Sequence, residues 1–208
     1  MIPSIRNLQR LPFTIGVFAA IVLAGIFSQS YFDPTSPEVR RAFGSSLQTM
    51  SNGEVGRLLT SIFFTSGGWH FWFSIVMLAL CVGFAEWNFR TRRTVVVFFA
   101  VHSLALITIC VGLTAMCQWE QFAFAKLLVD ARDVGPSAGY YGCLGFATVM
   151  LNRRWRNCLV TGMLIVMLTR VGQSAFGIHE QPHLVIGDVA HLIAFPLGML
   201  MTTGHSRG

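Results

Sequence analysis

Ionised residues punctuate this 208-residue chain at wide intervals, and the stretches between them are long and apolar. Charge-free runs lie at 11–32, 58–85, 94–119, 134–152 and 189–203. A helix that crosses a bilayer needs about 20 mostly apolar residues, and the first three runs supply that outright. Residues 157–178 supply another span with Arg170 near its end, where a long side chain can snorkel to the headgroups. The last span is predicted to begin near Leu184, which places Asp188 within its first turns as a helix-start or cavity-lining group. The pattern therefore predicts an all-α membrane protein of six spans, at about 11–30, 69–87, 94–115, 137–151, 157–177 and 184–203, forming one domain over 1–208.

Composition gives the same reading from another side. Hydrophobic residues make up 53% of the chain and charged residues 12%, against about 25% charged in an ordinary soluble domain. With 18 Phe, 5 Trp and 9 Met, the apolar surface asks for lipid as its solvent. A disordered chain, a collagen-like fibre and a free cytosolic enzyme are all poor fits. A net charge of +6 could indicate nucleic acid, but the placement of the charges explains it otherwise. With the N-terminus inside, the inner segments hold Arg6, Arg10, Arg90, Arg92, Arg93, Arg153, Arg154, Arg156 and Arg207 against the single acid Glu86. The outer segments balance six basic residues, Arg170 among them, against seven acids, Glu120 among them. Positive charge on short inner turns places both termini in the cytoplasm and leaves nucleic acid no part. No small-x-small cleavage site follows the first apolar run, so it reads as an uncleaved span. The five cysteines suggest neither a disulfide framework nor a metal site.

Polar side chains inside spans are costly, and each is a functional candidate for that reason. Here they are His70, Ser74, His102, Ser137 and His191, of which His102, alone in the third span, reads as a structural hydrogen-bonding group. Ser137 follows Gly135-Pro136, a helix-start signal, and the apolar run after it ends at Leu151. That run makes roughly 22 Å of helix, too short for a hydrocarbon core of about 30 Å. The helix must start below the outer surface, where irregular backbone is tolerated if it lines a water-filled cavity. His191, seven residues past Leu184, falls roughly 10 Å down the sixth span, at a similar depth. Ala194 and Gly198 share its face, and Ala138, Gly139 and Gly142 are the small residues the fourth span offers in return. The spacing permits a Ser–His pair in which His serves as general base.

At this point the chain resembles the rhomboid family of intramembrane serine proteases. The family's nucleophile motif, Gly-x-Ser-Gly with a following aromatic residue, is matched by Gly135-Pro136-Ser137-Ala138 and Tyr141. Its last-span motif, His-x-x-Gly-x-x-x-Gly, is matched by His191, Ala194 and Gly198, and its second-span residues by His70, Ser74 and Glu86. Arg57 matches the Arg of the family's first outer loop. The resemblance implies a six-span rhomboid-like bundle and cleavage of single-pass membrane-protein substrates in the bilayer without a cofactor. Ser137 is then the nucleophile and His191 the base of a catalytic dyad. His70, with the Ser137 backbone N–H and Ser74, would hold the oxyanion, and Tyr141 would pack beneath His191.

Three departures bear on activity: Ser74 stands where the family has Asn, Ala138 follows the nucleophile, and Ala194 replaces a Gly. Pro196 is expected to kink the last span. A second reading follows from Ser74, a rhomboid-like protein with weak or no catalysis that binds membrane clients. The segment His179-Glu180-Gln181-Pro182-His183 matches the zinc-protease pattern His-Glu-x-x-His, but Pro182 opposes the helix that pattern requires. It reads as a chance occurrence in a loop, with no metal. The compact six-span form points to a bacterial plasma membrane, and the oligomeric state is left open.

Overall fold

The computed structural model describes residues 9–119 and 123–202; Arg6, Glu120, Thr203 and Arg207, used above to orient and bound the spans, lie outside them. All regular structure among the described residues is helical. In chain order the helices are α1 (Pro12–Phe27), α2 (Pro37–Phe43), α3 (Leu47–Ser51), α4 (Arg57–Thr60), α5 (Trp69–Phe89), α6 (Thr91–Cys117), α7 (Ala123–Leu128), α8 (Ser137–Ala147), α9 (Arg153–Phe176) and α10 (Pro182–Leu200).

Four of them, α5, α6, α9 and α10, are long and apolar enough to cross a membrane. Helix α1, at 16 residues, stops at Phe27 rather than near 30, because Gln29 turns left-handed at φ +53° and the Gln29 and Ser30 N–H groups bond back to the Ile26 and Gly25 carbonyls, closing the helix end. Helix α8 is shorter than the sequence suggested: after 11 residues it tightens into a 3₁₀ turn at Thr148–Met150, with the Thr148 hydroxyl on the Gly145 carbonyl. Together with the apolar surface, these helices make an integral, multi-pass membrane protein. Phe176 is 94% exposed, and Ile165, Val166 and Leu168 on α9 are exposed as well. Such surface strongly disfavours water at roughly 25 cal/mol per Å².

Helix α8 is the hub of the bundle. It packs chiefly against α10 and then α6, and eight of its eleven residues are buried. On α6 the buried stripe Thr94, Val97, Phe98, Val101, Ala105, Leu106 and Ile109 follows helical spacing and faces this hub. Close approach of α8 and α10 requires glycine: a Cβ on Gly198 would lie 2.0 Å from the Gly142 carbonyl oxygen, and one on Gly145 would lie 2.0 Å from that of Phe195. Ala194, wholly buried, is small enough to fit the same seam. Gly139 departs from the expected arrangement. Its missing Cβ makes room for the Phe98 ring of α6, at 2.6 Å, since successive residues of a short buried helix must serve neighbours on different sides. Helix α10 runs through Pro196 without interruption.

The end of the bundle where α1 begins and α5 meets α6 is tied by a buried carboxylate. Glu86, 1% exposed near the end of α5, accepts from the Phe13 and Thr14 backbone N–H groups at 3.0 and 2.8 Å, and from the Thr14 and Thr91 hydroxyls at 2.7 Å. It thus caps α1 with negative charge at the positive end of that helix and joins α1, α5 and α6. Between Ser74 and Glu86, α5 contains a π-helical segment, Leu78–Val82.

Candidate active site

The loop between α1 and α5 is built from three short helices and a 3₁₀ turn, and it fixes the chain that leads into α8. Arg57 donates to the Arg41 and Ala42 carbonyls at the end of α2, and Arg132 donates to the Arg41 carbonyl as well. Cations there complement the negative end of the helix. Backbone bonds in both directions join Ser45 to Asp133, and the Gly135 N–H donates to the Ser61 carbonyl at 2.9 Å. Gly135 has φ +145°, a conformation open to glycine, which turns the chain so that Pro136 and Ser137 enter the helix. Ser137 is therefore the first residue of α8, where N–H groups have no partner within the helix.

Above this helix start lies a cavity of about 270 Å³, lined by Ser137, His191, His70, Ser74, Tyr141 and Asp188, among others. The sequence-predicted residues thus converge from α5, α8 and α10. His70 sits in the first turn of α5, entered through Gly67-Gly68, both with positive φ, and its ring is solvent-exposed. Ser74, four residues on and on the same face, is buried beside Tyr140. The Tyr141 and His191 rings pack with centroids 4.7 Å apart at 47°. His191 Nε2 is buried and makes no hydrogen bond, and none joins it to Ser137. In resting sites such contacts are commonly long and tighten around the substrate.

Of the two roles open to Asp188, the structure gives it the cavity-lining one: α10 begins at Pro182, so the carboxylate falls in the second turn, 4% exposed and 3.7 Å from His191 Nδ1. Arg170 does not simply run to the headgroups, since its Nε lies 3.2 Å from Asp188 Oδ1. The buried Asp188 carboxylate needs a cation beside it, and the half-exposed Arg170 supplies one from the neighbouring helix. Glu86 and Arg57 lie outside the cavity and act on the scaffold. His102 is buried on α6 near the Leu58 carbonyl, and neither of its ring nitrogens makes a hydrogen bond by geometry.

Tyr140, Asp133 and His183 line the cavity without having been singled out as site residues. Helical spacing carried a signal for Tyr140, three residues after Ser137 on the same face. Asp133 lies in the loop ahead of α8, where burial pushes its carboxyl up to about 6 against the pull of His191 and Arg40. The His-Glu-x-x-His segment is split: Pro182 is the first residue of α10, so His179 and His183 do not share a helix. Among the described residues no group of His, Cys, Asp and Glu is arranged to hold a metal.

A membrane-embedded helical bundle with a polar cavity over a short, buried helix defines the class to which the molecule conforms. A family model, the rhomboid domain, matches residues 52–207. The chain belongs to the rhomboid family, whose members are generally intramembrane serine proteases acting on membrane proteins within the bilayer. No curated protein and no solved structure matches it.

Proposed function

We propose that the protein is an intramembrane serine endopeptidase that cleaves single-pass membrane-protein substrates near the outer end of their spans. The observation that carries this reading is the convergence of Ser137, His191 and His70 on one cavity at the start of α8. His191 takes the Ser137 proton as Oγ attacks the scissile carbonyl, then returns it to the leaving amine. The tetrahedral oxyanion is met by the Ser137 backbone N–H and by His70, with the Ser74 hydroxyl as a shorter substitute for an amide. A helix start favours negative charge and supplies unpaired N–H groups, which supports the oxyanion assignment. Tyr141 holds the His191 ring by tilted ring packing. Water and an unwound substrate strand enter the cavity beside the non-helical segment 129–136 that leads into α8.

The rest of the proposal is topological. Six spans, α1, α5, α6, α8, α9 and α10, form one domain in a bacterial plasma membrane with both termini cytoplasmic, supported by the arginines between α5 and α6 and between α8 and α9. A non-catalytic client-binding role draws its support from Ser74 alone. Purified protein with a model transmembrane substrate separates the two. Wild type is expected to cut it, and Ser137→Ala and His191→Ala are expected to be inactive while remaining folded; cleavage that persists in either variant, or a wild type that cuts no substrate, contradicts the protease.

A further inference from the structure

A carboxylate in a membrane-embedded helix is costly unless it is paired. Asp188 is paired with Arg170 of α9 at 3.2 Å, which explains why it is tolerated but not why it stands one turn from His191. The two nitrogens of that ring have different surroundings. Nδ1 faces Asp188 Oδ1 at 3.7 Å, an electrostatic contact longer than a hydrogen bond, whereas Nε2 is buried and unpartnered, in a residue that lines the same cavity as Ser137. A neutral imidazole has one N–H and one lone pair, and an anion beside one nitrogen favours the proton there.

We infer that Asp188 is a positioning residue that holds His191 as the Nδ1–H tautomer, with Arg170 fixing the carboxylate, so that Nε2 presents its lone pair to Ser137. This rests on the Ser137–His191 reading above. As the Oγ–C bond forms, the Ser137 proton passes to Nε2, and the imidazolium that results lies against the Asp188 anion. As the C–N bond breaks, the same proton leaves with the amine. Asp188 takes up no proton in either step. Because Arg170 already offsets its charge, Asp188 contributes less than an unpaired triad carboxylate does.

The test uses the full chain in detergent with ¹⁵N-labelled histidine, the His191 signals being assigned by their loss in His191→Gln. Wild type is expected to show the Nδ1–H tautomer at alkaline pH, and Asp188→Glu to keep it. Asp188→Asn is expected to show a mixture or the Nε2–H form, with kcat lowered at least about tenfold and KM changed less than about twofold. Should Asp188→Asn not fold, Asp188→Ser is read in the same way. An unchanged tautomer in the folded variant, or an unchanged kcat, overturns the inference. The tautomer is read without substrate, so a wild type that cleaves nothing yet holds Nδ1–H refutes the protease and not the positioning contact.

Discussion

Asp133 shows how a single loop residue couples the site to stability. Its carboxyl is pushed from 3.8 to about 6, so between those values the folded protein holds a proton that the unfolded chain releases. The contribution of Asp133 to stability is then fully present below about pH 4 and is lost as pH rises through about 6. Asp133→Asn is expected to flatten that part of the curve and to be the more stable protein at pH 7, measured by thermal unfolding in detergent; parallel curves contradict the assignment. Ser74 tests the oxyanion site at the same scale. An amide reaches farther than a hydroxyl, so Ser74→Asn should keep or raise kcat, and a loss approaching the 10²–10³ of a deleted oxyanion donor contradicts a role for this position. Ser137, His191 and His70 were legible because so few polar groups interrupt the apolar runs. Asp133 was not, because one more acid in a loop carries no signal until the chain folds over it. The Asp188–Arg170 contact depends on two helices whose rotation the sequence does not specify.

At the scale of elements, hydropathy located the long helices well, and their ends were set by local chemistry it does not register. The first loop is the clearest case. Ser36-Pro37-Glu38 carries an N-cap, a proline and an acid in the order that opens α2, with the Ser36 hydroxyl accepting from the Val39 N–H, a local signal that hydropathy does not register. The short α8 was foreseen from its apolar run, but not the turn that shortens it further. Glu86 joins three elements through four neutral donors on one buried carboxylate. Glu86→Ala leaves the N–H groups of Phe13 and Thr14 unpaired and is expected to cost about 2–4 kcal/mol of unfolding free energy. Phosphonate labelling per folded molecule should be unaffected, because Glu86 lies outside the cavity; a stable variant with lost labelling contradicts the scaffold role.

For the whole molecule, the low charge fraction both requires a bilayer and makes the polar cavity conspicuous. In the proposed topology the arginine-rich turns lie inside and the start of α8 faces outward. Cysteine substitutions at Arg92 and Arg154 are expected to resist a membrane-impermeant thiol reagent in intact cells, and one at Glu54 to react with it; the reverse pattern contradicts the orientation. If His191 makes Ser137 a nucleophile, peptide mapping after treatment with a serine-reactive phosphonate finds an adduct on Ser137 in the wild type and none in folded His191→Ala. Label on another residue, no label at all, or equal labelling in the variant contradicts it.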